Sequence, residues 1–74
     1  MSTIKPQVHL SKEGQKTEYK YYKTYRLLKK DLNKFVKEYD EVFVVRSRRG
    51  EWGEWFERFV LENNKLKIIE EGWL

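Results

Sequence analysis

The chain has no cysteine and a single histidine, His9, and each shortage removes a class of protein. Without cysteine there is no disulfide to staple a small fold and no thiolate zinc site. With one histidine, any serine triad would have to be built on His9 beside Ser11, close to the N-terminus. Proline occurs once, at Pro6, and Gly14, Gly50, Gly53 and Gly72 are too scattered to form a phosphate-cradling loop. No apolar run approaches the length of a membrane span or of a signal-peptide core, so a cytoplasmic protein with no membrane partner is expected.

What is abundant is charge, 38% of residues, and aromatic side chains, 16%. The 74 residues make one domain, 1–74, with 1–6 expected as a loose N-terminal arm because nothing there is periodic and Pro6 removes a backbone donor. A domain this small buries only about 60% of the surface its unfolded chain exposes. The core must then come from aromatics (Trp52, Trp55, Phe35, Phe43, Phe56, Phe59 and several tyrosines) or from a subunit interface. The net charge of +4 conceals an imbalance. Residues 1–37 carry ten Lys/Arg against Glu13, Glu18 and Asp31, whereas residues 38–74 carry six Lys/Arg against nine acids. A basic half on a small domain points to a polyanion, DNA or RNA, or to an acidic protein surface as partner. A solvated Lys/Glu surface would leave the same trace.

The segment from Val42 to Glu71 reads as a three-stranded meander with turns at Arg49-Gly50 and Asn63-Asn64, residue types that accept the positive φ of a tight hairpin. The second turn sets Glu62 against Lys65, Leu61 against Leu66, Val60 against Lys67 and Phe59 against Ile68. Period alone would also allow a helix over Glu51 to Glu62. Gly53, the β-branched and aromatic content and the hairpin pairing favour a strand. The strand reading places Glu57 opposite Glu70 on the buried face, a misfit that a bulge near Gly53 or Glu57 would relieve.

In the N-terminal half, QVHLS (Gln7 to Ser11) and TEYKYY (Thr17 to Tyr22) form a hairpin about a turn at Glu13-Gly14, pairing Val8 with Tyr19, His9 with Glu18 and Leu10 with Thr17. A helix beginning early, near Thr17, competes with it. From Thr24 to Tyr39 the helix is clear. Tyr25, Leu28, Leu32, Phe35, Val36 and Tyr39 recur at steps of three and four, and Thr24 is placed to cap. The fold expected is therefore α+β, an antiparallel sheet in ββ-α-βββ order with one amphipathic helix packed on one face.

Three constellations could carry chemistry. Carboxylate pairs (Asp40/Glu41, Glu70/Glu71) and a Glu-x-Lys triplet (Glu18, Lys20) lack the partners that catalysis requires, so no enzyme, cofactor or metal is expected. The outer helix face strings Arg26, Lys30, Lys34 and Lys37 together, with Lys23 just before, and Arg46, Arg48 and Arg49 near the first β-turn. This set would follow a phosphate backbone. The sheet face away from the helix holds Phe43, Val45, Phe56, Val60 and Ile69, which one helix cannot cover. Its aromatic-plus-cation mix suits bases stacking on a sheet platform and equally a homodimer or partner-protein interface, and the β-branched Val45, Val60 and Ile69 favour the protein interface. The function expected is a small non-catalytic nucleic-acid-binding protein, dimeric through that face. The alternative is a compact protein-binding module or inhibitor docking on a larger machine.

Overall fold

In a computed structural model, residues 5–48 and 53–74 are described. The order is β1 (Gln7–Ser11), β2 (Glu18–Tyr21), α1 (Tyr25–Glu38), β3 (Glu41–Arg46), β4 (Trp55–Glu62) and β5 (Lys65–Trp73). All five strands join one antiparallel sheet in the order β2-β1-β3-β4-β5. The helix lies against one face of it, so the domain has two layers.

The helix begins where its sequence provides a cap. Thr24 is extended, and its Oγ1 accepts from the Leu27 amide at 3.2 Å, satisfying one of the donors a first turn leaves free. The helix ends at Tyr39, whose amide donates to the Phe35 carbonyl at 2.8 Å. The chain beyond is tied to the first hairpin: the Asp40 amide donates to the Ser11 carbonyl, and Asp40 Oδ2 accepts from the Glu13 amide at 2.8 Å. Leu28, Leu32 and Phe35 are buried and Tyr25, Val36 and Tyr39 pack beside them, the stripe that the three-and-four spacing predicts.

The core is more aliphatic than the aromatic content suggests. Among the described residues Val8, Leu10, Leu28, Leu32, Val42 and Val44 fill it, with Phe35 and Phe59 as its buried rings. Trp55, Phe43 and Phe56 are half-buried, and Trp52 lies outside the described residues. The reason is the sheet's alternation. Val8, Leu10, Val42 and Val44 take the helix-facing positions of the two central strands, and a closely seated helix leaves room there for branched aliphatics. The expected arm reaches less far than position 6. Pro6 is buried and its carbonyl accepts from Tyr22 at 2.9 Å, while residues 1–4 lie outside the described residues.

The first hairpin pairs one residue out of the expected register: Val8 with Lys20, His9 with Tyr19 and Leu10 with Glu18. The reversal is longer than two residues. Gln15 donates back to the Lys12 carbonyl, Gly14 takes φ +77°, and the chain resumes pairing at Glu18. A one-residue slip exchanges every side chain between faces. Tyr19 and Tyr21 consequently stand on the face away from the helix. Glu18 and Lys20 face the helix, where Glu18 accepts from the Tyr39 hydroxyl at 2.8 Å and the Lys20 ammonium sits 5.5 Å from the Phe35 ring centre. This also removes the helix reading of the segment from Thr17.

The second hairpin has the predicted register, Glu62↔Lys65, Leu61↔Leu66, Val60↔Lys67 and Phe59↔Ile68. Asn63 and Asn64 both have positive φ, 51° and 63°, as a two-residue primed turn demands. Residues 55–62 are strand, not helix. A bulge falls between Arg58 and Phe59, where β5 carries Ile69 as an extra residue, so Glu57 meets Glu71 and Arg58 meets Glu70. The predicted Arg49-Gly50 turn lies outside the described residues; β3 and β4 pair as far as Arg46↔Trp55.

The Asn63-Asn64 turn makes a first prediction. Asn64→Ala places an alanine at φ 63° and destabilises the domain by about 1–2 kcal/mol in urea unfolding, while Asn64→Gly is neutral or stabilising. Equal stability of the two variants would show that the turn does not set the hairpin.

Candidate nucleic-acid interface

The amphipathic pattern that buries Leu28, Leu32 and Phe35 turns the other side of α1 to solvent. Arg26, Lys30, Lys34 and Lys37 are exposed along it, and Lys23 is exposed just before the cap. From Arg26 to Lys37 the stripe runs about 17 Å at 1.5 Å per residue. Lys29, which the step-of-four spacing passed over, adds a further exposed cation on the flank, 5.5 Å from the Tyr25 ring centre. The two acids of the helix stand aside. The Asp31 carboxylate accepts from the Tyr22 hydroxyl at 2.8 Å, and Glu38 closes the last turn. Burial, then the Asp31 bond, pushes the Tyr22 hydroxyl up to about 12.

This charge is placed against local helix energetics. The first turn holds no acid to complement the positive end of the helix dipole; it holds Arg26 instead, with Lys23 close by. Arg26–Lys30 and Lys30–Lys34 are like-charge pairs at i, i+4, each costing about 0.2–0.5 kcal/mol. Only Lys37, in the last turn, sits where the dipole favours a cation.

The arginines of the third strand and beyond are arranged otherwise. Arg46 points to the helix side and is held by Glu57: its Nε and Nη2 donate to the two carboxylate oxygens at 3.2 Å each. Its guanidinium also lies 4.0 Å from the Tyr25 ring centre, and the Tyr25 hydroxyl donates to Glu57 Oε1 at 2.5 Å. Arg46 thus answers the misfit seen in the sequence. Glu57 does face the core, only 4% exposed, and the bulge does not turn it out; it is satisfied in place. Burial alone would raise the Glu57 pKa, but the bonds from Arg46 and Tyr25 outweigh it and hold the carboxyl below its ordinary value. Burial and the Glu57 bond push the Tyr25 hydroxyl far up. Arg46 is therefore a structural cation, not part of the stripe. Arg48 lies 4.4 Å from the Trp55 ring centre and 5.9 Å from that of Trp73, at the end of the sheet. Arg49 lies outside the described residues.

On the opposite face, Phe43 and Phe56 stack at 5.3 Å with their planes 19° apart. Val45 is buried, 1% exposed, and contributes no surface; Val60 is half-buried opposite Lys67, and Ile69 is exposed at the bulge. His9 does not pair with Glu18. Its ring sits 4.6 Å from Tyr19 and 5.6 Å from Phe43, Nε2 is 3.2 Å from Gln7 Oε1, and burial lowers its pKa. The tyrosines of this face were missed in the sequence because their placement depends on the length of one turn.

Of the carboxylates singled out in the sequence, Asp40 accepts from the Glu13 amide, Glu41 pairs with Arg58 and Glu18 accepts from the Tyr39 hydroxyl. Among the described residues no group of three or more His, Asp or Glu side chains could hold a metal ion, and no helix is long and apolar enough to cross a membrane. Comparison with known proteins gave no match to any family model, curated protein or solved structure.

The Glu57 cluster generates a second prediction. Glu57→Leu strands Arg46 and the Tyr25 hydroxyl and lowers unfolding free energy by roughly 3 kcal/mol; Arg46→Met with Glu57→Leu recovers the part due to the stranded guanidinium. Because the folded-state pKa of Glu57 is depressed, its contribution is full above pH 4.5 and is lost as pH falls through the depressed value. Urea midpoints measured from pH 7 down to pH 2 should therefore fall more steeply for the native chain than for the double variant. Parallel profiles would mean that the cluster does not stabilise the fold.

Proposed function

We propose that this chain is a small, non-catalytic, cytoplasmic nucleic-acid-binding protein that lays the outer face of α1 along a phosphate backbone. The observation that carries the reading is the stripe Lys23, Arg26, Lys30, Lys34 and Lys37: exposed, in line, free of interleaved acids, and kept despite the helix dipole and its own repulsion. A solvated lysine face needs none of those features, and mixing in glutamates would make the helix more stable. A rigid stripe of about 17 Å matches some five base-pair steps of duplex at 3.4 Å each, so contacts to four or five phosphates are within its reach. The phosphates supply affinity without reading sequence. An acidic protein surface is the competing partner.

The test is fluorescence-anisotropy titration of labelled duplex and single-stranded oligonucleotides over a range of salt. Four or five neutralised phosphates give a log–log salt slope of about −4 on duplex. Lys30→Gln with Lys34→Gln should reduce that slope by about 2, and Lys30→Glu with Lys34→Glu should abolish binding with an unchanged circular dichroism spectrum. Unchanged affinity in the reversed variant, or no binding near physiological salt, sinks the reading and turns the search to an acidic protein.

A further inference from the structure

The sheet face opposite the helix carries two rows of side chains running across the strands. One is Tyr19, His9, Phe43, Arg58 and Glu70; the other is Tyr21, Gln7, Val45, Phe56 and Gly72. An antiparallel sheet that turns one face to water normally alternates polar residues there. Here aromatic rings are set side by side. Tyr19 and Tyr21 are 58% and 66% exposed, and Phe56 lies against Phe43 and over Gly72, where an added Cβ would come 3.3 Å from its ring. Around that stacked pair the rings are not coplanar: His9 is tilted 40° to Phe43 and meets Tyr19 edge-on at 75°.

Charge decides what can cover this face. Its described strand residues hold Arg58, Lys65 and Lys67 against Glu41, Glu62 and Glu70. Arg58 pairs with Glu41 and Lys67 with Glu62 at 2.9 Å, while Glu70 lies directly across from Arg58 and Lys65 across from Glu62. A face with no net charge offers a polyanion nothing to steer by. It is, however, the one kind of surface that can meet its own copy without repulsion, as a two-fold interface requires. The helix face, by contrast, repels its copy. The five strands hold 32 residues, which at about 3.3 Å along and about 4.8 Å across a strand lay out a footprint on the order of 500 Å². That makes a small interface, below the standard of about 800 Å² per partner.

We infer that a second copy of this chain covers the open sheet face, so that the protein is a back-to-back dimer bearing a basic helix on each outer side. Sheets pack about 10 Å apart, and a helix rides about 10 Å above its sheet, which puts the two helix axes about 30 Å apart and facing opposite ways. Two such stripes cannot follow one stretch of backbone. The dimer therefore bridges two nucleic-acid segments, a consequence that rests on the function proposed for α1; the dimer itself does not.

Sedimentation equilibrium without nucleic acid tests the dimer first. The native chain should sediment at twice its 9.2 kDa at micromolar concentration. Phe43→Glu, at the centre of the face, should raise the dissociation constant by roughly 30-fold or more, the size of one hot-spot residue. Tyr19→Glu with Tyr21→Glu alters only exposed side chains, so it should weaken the dimer without unfolding the chain. A native chain that stays monomeric near millimolar concentration, or dimers untouched by either variant, overturns the inference. So does a monomer whose Tyr19, Tyr21 and His9 resonances shift on adding a single-stranded oligonucleotide, which would make the face a base-stacking platform. With the dimer established, an immobilised duplex should retain a second labelled duplex through the native chain and not through the Tyr19/Tyr21 variant, while both bind a single duplex alike. A dimer that binds duplex but does not bridge overturns the bridging arrangement, whereas a dimer that binds no duplex overturns the function proposed for α1.

Discussion

The carboxylate of Glu57 is the point on which the helix, the third strand and the fourth strand agree. A charged group at the helix-facing side of a sheet is costly unless paired and hydrogen-bonded, and the partners come from two other elements. Arg46 reaches it from β3 with two donors and Tyr25 from the first turn of α1 with one. Sliding the helix by a turn, or β4 by one residue, would leave at least one of these groups buried without its partner. Apolar packing is tolerant of such shifts and a two-donor bond is not, so the cluster selects one docking of α1 among several that the valine and leucine core would accept.

That docking divides the sheet into unlike faces. One helix covers the side of Val8, Leu10, Val42, Val44 and Phe59, and the chain has no second helix among its described residues to cover the other. Cations follow the same division. Those that fold the domain, Arg46 and Arg58, are bound to Glu57 and Glu41, whereas those of α1 are exposed on the side of the helix away from the core. Net charge is thus moved to one surface, and aromatic area to the opposite one.

The sequence showed most where a single local cause decides the outcome. The period of Tyr25, Leu28, Leu32, Phe35, Val36 and Tyr39 specifies the helix, the Thr24 hydroxyl its start, and Asn63-Asn64 the register of the last hairpin. It showed least where the outcome depends on counting residues in a turn or on a partner remote in the chain. The reversal after Ser11 is longer than Glu13-Gly14 alone suggests, and that single residue moves Tyr19 and Tyr21 from the core side to the open face. Arg46 looked like one more surface cation because Glu57 is eleven positions away and Tyr25 twenty-one. Alternation put Val45 correctly with the open face but could not show that its neighbours already bury it. The helix stripe needed no long-range information, which is why its residues were legible, apart from Lys29 on the flank.

The energetics of α1 bear on why such a stripe persists. Fourteen residues with cations at the positive end and repulsive i, i+4 neighbours would hold little helix in isolation. The helix exists because Leu28, Leu32 and Phe35 are buried on the sheet, each contributing on the order of 1.5–3 kcal/mol. That reserve exceeds the summed cost of the unfavourable charges, about 1–2 kcal/mol. Packing on one side of the helix therefore frees the composition of the other, and the exposed face can hold residues that helix stability would not select. In a domain this small such freedom is scarce, and it is spent on a line of positive charge.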